Sequence, residues 1–205
     1  PHPINDNLGE KMDKIEARKK LGLDAETNYL LFFGLVRKYK GLDLLLESLA
    51  KQEIRKQNIK LIVAGEFYDN KEEYLSFIAD NKLENKVLIF DQFIPTDEIK
   101  LFFSACDLVT QTYHSASQSG VSQIAFNFDS PILVTDVGGL SETVEDGKLG
   151  YVVKKDPAAI EAAILDFFDH DRATGFSENI KKIKQQYSWA NFADKLTQFA
   201  SSVKR

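Results

Sequence analysis

Apolar residues fall along this chain in two rhythms. Short continuous runs of strand length stand at residues 29–33 (YLLFF), 59–64 (IKLIVA), 87–90 (VLIF), 108–110 (LVT), 131–135 (PILVT) and 150–153 (GYVV). Such runs suit strands covered on both faces of a parallel sheet. Between them, apolar positions recur at helical spacing. Leu42, Leu45, Leu46 and Leu49 mark one helix to about Gln52, and Tyr74, Leu75, Phe77 and Ile78 mark another within 71–81. Ile99, Phe102 and Phe103 follow, with Thr96 as the expected cap. Residues 121–126 begin a further helix, and Ile160, Ala163, Ile164 and Phe167 lie behind Pro157, a residue suited to a first helical turn. A short exposed helix is expected over 10–21 (Met12, Ile15, Ala17, Leu21), closed by Gly22. One or two helical turns are expected over 140–144, and two closing helices over 173–186 and 189–203. Strands and helices thus alternate six times with short connections. The pattern predicts an α/β fold: a doubly wound, Rossmann-like parallel sheet of about six strands with helices on both faces. The expected division is residues 1–28 as a linker with a short helix, 29–186 as the Rossmann-like domain, and 187–205 as a C-terminal helix.

One stretch, 108–139, reads as strand, polar loop, helix, strand, which is a βαβ unit. Its loop belongs at the C-terminal edge of the sheet, where open α/β folds bind ligands. Ser117 or Ser119 can cap the helix, and Gly120 lets a ligand approach the backbone. Free N–H groups at a helix start, with the helix dipole, suit an anion such as phosphate. An ordinary capped turn has the same residues. A second loop at the same edge, 34–41 (GLVRKYKG), sets Arg37 and Lys40 between Gly34 and Gly41. Arg by a bidentate fork and Lys as a point charge can clamp a phosphate or diphosphate; a solvated basic turn is the plainer reading. Two anion-friendly loops on one edge weigh more than either alone.

Composition narrows the function. A formal net charge of −5 gives no basic footprint for nucleic acid. The lone cysteine, Cys106, permits no internal disulfide and reads as a small buried apolar residue. No apolar run has the roughly 18–20 residues that span a bilayer, so no transmembrane segment is expected, and the expected location is cytoplasmic. No His/Asp/Glu set has metal-ligand spacing, so no metal and no cofactor is expected. Of three histidines, His2 and His170 read as surface residues and His114 as a candidate ligand contact. Asp129, Asp136, Glu142 and Glu145 are scattered, and most read as solvated or capping. Neither GxGxxG nor GxxxxGK[ST] occurs, which excludes the dinucleotide-binding and P-loop fingerprints. The chain starts at Pro1, as a fragment of a longer protein would.

The ordered runs FGLVRKYKGLDLLLESL, LIVAGE, VLIFDQFIP, SACDLVTQTY and PILVTDVGGLSETVEDGKLGYVV resemble the C-terminal half of retaining GT-B glycosyltransferases of family 4. The His-Pro-Ile-x-Asp run at His2 to Asp6 is similar to the segment joining the two Rossmann domains of such enzymes. The resemblance implies a nucleotide diphosphate sugar as donor substrate and a missing N-terminal domain that binds the acceptor, a glycan or lipid-linked carrier. Any peripheral membrane contact would run through that missing domain. It implies that Lys40 holds the donor diphosphate, helped by an arginine. That arginine directly follows the glycine in the family, where this chain has Leu35, so Arg37 is the expected substitute. Gly34, Gly41, Ser119 and Gly120 complete the implied diphosphate site, while Phe93 and Ile94 meet the base through their backbone. The family's two glutamates, spaced E-x7-E, are absent. Spacing offers Ser115 with Gln123 or Ala116 with Ile124. Gln118, Ser119 and Gln123 are the expected polar replacements, Gln123 for a ribose hydroxyl, and no catalytic residue is assigned. A non-catalytic nucleotide- or sugar-phosphate-binding module is the alternative. The fragment alone is expected to bind donor and to transfer little sugar.

Overall fold

In the computed structural model, which describes residues 8–184, the six apolar runs form one sheet. The strands are β1 (Asn28–Phe33), β2 (Ile59–Ala64), β3 (Val87–Phe90), β4 (Leu108–Gln111), β5 (Ile132–Thr135) and β6 (Gly150–Val153). Their order is β3-β2-β1-β4-β5-β6, and every pair is parallel. The helices are α1 (Lys14–Lys20), α2 (Leu42–Leu49), α3 (Gln52–Lys56), α4 (Lys71–Asp80), α5 (Ile99–Ala105), α6 (Gly120–Asn127), α7 (Pro157–Asp169) and α8 (Ala173–Lys184). The doubly wound α/β fold read from the sequence is the observed one. His2 and the helix expected over 189–203 lie outside the described residues.

Alternate strand residues serve two separate cores, which is why the runs are apolar throughout. Leu31, Phe33, Ile62, Val109 and Val134 pack with Phe102 and Phe103 of α5, Ala125 and Phe126 of α6, and Ile180 of α8. Leu30, Phe32, Leu61, Val63 and Leu133 face the other way, onto Leu42, Leu45 and Leu46 of α2, Tyr74 and Ile78 of α4, and Ile160 and Ile164 of α7.

Three local expectations are corrected. The helix expected to run to Gln52 breaks after Leu49 and resumes as α3. Thr96 does not cap α5: the Pro95 carbonyl accepts from the Glu98 and Ile99 N–H groups at 2.9 and 3.2 Å, so a backbone turn closes that end, and Glu98 stands at the cap position with no side-chain bond. The first helix, capped by Asp13, is not simply exposed. Ile15 is, but Ala17 and Arg18 are buried where α1 packs on α5. The Arg18 guanidinium donates to the Ala105 carbonyl at 3.0 Å and to Asp107 at 2.8 Å, which compensates the buried charge.

Going outward from β1, the chain winds one way through β2 and β3 and the other way through β4, β5 and β6. The crevice at the C-terminal ends of β1 and β4 is therefore the topological switch point. Both candidate loops leave the sheet there.

Candidate functional site

The loop after β1 is built by three close backbone approaches. Gly34, at φ +87°, donates to the Ala64 carbonyl at 2.8 Å, and a Cβ at Gly65 would lie 2.4 Å from the Gly34 carbonyl oxygen. Val36 then bonds the Glu66 carbonyl at 2.8 Å, so the chain runs on beside β2 before it turns. A 3-10 turn, Lys38–Lys40, ends in Gly41 at φ +68°, the left-handed region. This turn folds Lys40 back over Gly34, with Nζ 3.1 Å from where a Cβ on Gly34 would stand. Lys40 is 9% exposed, unlike exposed Lys38, and among the described residues its ammonium has no hydrogen bond and no carboxylate partner. Burial, and then the neighbouring charge of Arg37, push its pKa down to about 8. The Arg37 guanidinium lies over the Tyr68 ring, 4.0 Å from its centroid, and its buried Nε lacks a partner among the described residues.

The segment after β4 is locked to this loop. Thr112 Oγ1 donates to the Gly41 carbonyl at 2.7 Å, and the His114 N–H to the Tyr39 carbonyl at 2.7 Å. His114 Nε2 sits 2.9 Å from both carboxylate oxygens of Asp43, so its side chain joins the two segments. Of the two candidate caps, Ser119 is the one used: its Oγ accepts from the Val121 N–H at 3.2 Å. The Tyr113 hydroxyl lies 3.3 Å from the same oxygen. Gly120 opens α6, and a Cβ there would meet nothing within 4 Å, so the space beside Gly120 is open. The Gly138 and Gly139 pair follows from the same packing: Cβ atoms there would fall 1.7 and 2.0 Å from the Ala116 and Ser117 carbonyl oxygens.

Beside Gly34 a cavity of about 450 Å³ opens between the ends of β1 and β2 and the loop after β3. Its lining includes Gly34, Leu35, Glu66, Phe93, Ile94 and Thr96. Phe93 is 69% exposed while Ile94 is buried. Gln123, one turn into α6, is 8% exposed and its Oε1 has no partner among the described residues. Gln118 is exposed at the loop surface, against Gly139. The structure thus gathers Gly34, Arg37, Lys40 and Gly41 in one loop and joins it through Tyr113 to Ser119. Phe93 and Ile94 share a cavity with Gly34. Glu66, which lines this cavity, and Tyr113, beside Ser119, belong to the candidate site and were not among the residues read from the sequence. Glu66 carried a signal, since Gly65-Glu66 directly follows a strand at the same edge. Among the described residues, no group of three His, Cys, Asp or Glu side chains is placed to hold a metal ion, and no helix is long and apolar enough to cross a membrane.

The profile of the family described as "Glycosyl transferases group 1" matches residues 13–187. The chain belongs to that family. Among group 1 relatives is the D-inositol 3-phosphate glycosyltransferase of Pseudarthrobacter chlorophenolicus, 30% identical over 164 residues that cover 78% of this chain and 39% of that protein. The chain spans less than half the length of the curated group 1 relatives it matches. The fold is similar to Anabaena HepE solved in complex with UDP-glucose, with a TM-score of 0.80, 22% identity, and coverage of 96% of this chain and 55% of that one. It is also similar to the C-terminal domain of LpcC, a glycosyl transferase group 1 family protein of Francisella tularensis, with a TM-score of 0.77, 17% identity, and coverage of 89% of this chain and 96% of that domain.

Proposed function

We propose that this chain is the C-terminal, donor-binding half of a retaining, family 4 type glycosyltransferase, acting in the cytoplasm on a nucleoside diphosphate sugar. The acceptor would be a glycan or a lipid-linked carrier presented by a second domain. The observation that carries the reading is Lys40, a largely buried lysine whose ammonium has no counter-charge among the described residues, held at the switch point in the loop joined to the start of α6. A buried charge without a partner is costly, and a diphosphate would supply that partner. UDP is the natural probe, because Anabaena HepE binds UDP-glucose. The family resemblance supports retention, and the likeness to the LpcC domain supports the C-terminal placement.

In this reading Lys40 meets the diphosphate, with Arg37 beside it. The N–H groups at the start of α6 and the Ser119 hydroxyl meet the same oxygens, while Gly34 and Gly41 hold the loop open to them. As the sugar leaves, negative charge grows on the diphosphate, and these fixed donors stabilise it without reorganising. The base enters the cavity beside Gly34, against Phe93 and the backbone of Ile94, and the ribose reaches Gln123. Gln118 lines the outer rim. With the diphosphate charge met by these groups, no metal is needed, and UDP affinity is expected to be the same with and without EDTA.

Calorimetric titration with UDP and uridine tests this. Saturable UDP binding, with uridine far weaker, is expected; failure to bind any nucleoside diphosphate sinks the reading. Gln123→Leu is expected to raise the melting temperature, because it removes a buried acceptor without a partner, a defect worth about 1–3 kcal/mol. The same change should weaken UDP binding several-fold; unaltered affinity would remove Gln123 from the site. A second reading has one observation in its favour: residues 114–124 carry no carboxylate, which suits a non-catalytic nucleotide- or sugar-phosphate-binding module. Sugar transfer by a form of the protein that includes a second domain separates the two. The 205-residue chain alone is expected to bind UDP and to show negligible transfer.

A further inference from the structure

Tyr113 stands between the two halves of the site, and nothing above gives it a role. It is 3% exposed. The residues on either side are pinned to the first loop through Thr112 Oγ1 to the Gly41 carbonyl and the His114 N–H to the Tyr39 carbonyl, both at 2.7 Å. The Tyr113 ring has the Lys40 ammonium 6.0 Å from its centroid, at the outer reach of a cation–π contact. Tyr39 packs edge-to-face with the same ring, 5.9 Å between centroids. Its hydroxyl reaches Ser119 Oγ at 3.3 Å.

We propose that Tyr113 is a positioning residue that fixes the Lys40 ammonium and the Ser119 hydroxyl in one arrangement around the donor diphosphate. The inference rests on the donor-site reading above. A buried hydroxyl that does not donate is left unsatisfied, and Ser119 Oγ is the hydrogen-bond partner of the Tyr113 hydroxyl among the described residues. Burial pushes the Tyr113 pKa up to about 12, so the proton stays in place through the neutral range. In the proposed arrangement Tyr113 is the donor and Ser119 Oγ the acceptor. The Val121 N–H donates to the same oxygen. A hydroxyl oxygen has two lone pairs, and both are then taken. In the proposed arrangement the Ser119 proton then faces the side of Gly120, where a Cβ would touch nothing. Tyr113 thus makes Ser119 a donor toward the place where a phosphate oxygen would sit. Through its ring it also limits where Lys40 can go.

The test is UDP and uridine titration, with melting curves, on the wild type, Tyr113→Phe, Ser119→Ala and the double variant. Tyr113→Phe should weaken UDP roughly three- to tenfold, the scale of one hydrogen bond, and leave uridine unchanged. In the Ser119→Ala background Tyr113→Phe should add nothing. Tyr113→Leu, which also removes the ring beside Lys40, should cost more than Tyr113→Phe, and the excess should vanish in a Lys40→Met background. Equal losses for UDP and uridine, full additivity with Ser119→Ala, or an excess that persists without Lys40 each overturn the proposal. Absence of UDP binding in the wild type defeats the donor-site reading and this one together. Lys40-dependent UDP binding that is unchanged in Tyr113→Phe defeats this one alone.

Discussion

Lys40→Met is expected to weaken UDP binding by roughly ten- to more than a hundredfold, the scale of a lost charge-assisted hydrogen bond, while making the free protein more stable at pH 7. Both effects have one cause. The Lys40 residue is 9% exposed, its ammonium has no carboxylate partner among the described residues, and its pKa is lowered from 10.5 to about 8. Between about pH 8 and 10.5 the unfolded chain binds the proton that the folded one has released. Stability therefore rises with pH through that window. Below pH 8 both states are protonated and the full penalty for burying the charge is present. That penalty is on the order of 3 kcal/mol at about 1.36 kcal/mol per pKa unit. Methionine keeps the apolar stem and removes the charge, so the melting temperature should rise at pH 7 and the gain should fade above pH 8. Ligand binding reverses the preference. A diphosphate beside Nζ favours the charged form, so UDP affinity should be flat between about pH 7 and 8, above the terminal phosphate's own titration at about pH 6, and fall above about pH 8, with proton uptake on binding. Calorimetry in two buffers of different ionisation heat reads that uptake directly. A Lys40→Met protein that binds UDP like the wild type, or affinity that does not change between pH 7 and 9.5, contradicts this assignment.

The sheet was legible in the sequence because its strands are buried on both sides. In β1, Leu30 and Phe32 serve one core and Leu31 and Phe33 the other, which leaves a continuous apolar run as the visible trace. The edge that carries the candidate loops was legible too, since polar and glycine-bearing loops follow the ends of β1 and β4. The residue pattern alone did not show which cation turns inward; the family resemblance named Lys40. In the run from Gly34 to Gly41, Arg37, Lys38 and Lys40 look alike. Only the 3-10 turn and the left-handed Gly41 fold Lys40 inward and leave Lys38 in solvent. The joining of the two loops was hidden for the same kind of reason. Thr112 and Gly41 are 71 residues apart, and no local spacing rule reaches that far. Asp129 illustrates it at the opposite edge: it read as one of several scattered acids, yet it is buried with Lys184 Nζ at 2.6 Å, a partner 55 positions away. The Thr96 expectation failed because a local capping rule cannot see a turn closed by the Pro95 carbonyl.

Gly41→Ala and Gly120→Ala are expected to separate the scaffold of the site from its ligand-facing surface. At Gly41 a Cβ would stand 1.9 Å from the Thr112 carbonyl oxygen, and the backbone is at φ +68°. The left-handed conformation alone costs an ordinary residue about 1–2 kcal/mol. The clash is with backbone, which cannot swing aside as a side chain would. The loop must therefore part from residues 112–114, breaking the Thr112 bond at 2.7 Å and moving Lys40 off Gly34. A loss of about 3 kcal/mol or more is expected, read as a large drop in melting temperature, with UDP binding abolished. Gly120 is the opposite case. It opens α6 in open space, so alanine there should leave stability unchanged or raise it by about 0.5–1 kcal/mol. The methyl group would nonetheless project into the approach to the helix N–H groups, and UDP affinity should fall about tenfold, roughly 1.4 kcal/mol. If Gly120→Ala binds UDP as tightly as the wild type, the start of α6 does not hold the phosphates, and the diphosphate must lie wholly on the Lys40 side of the crevice.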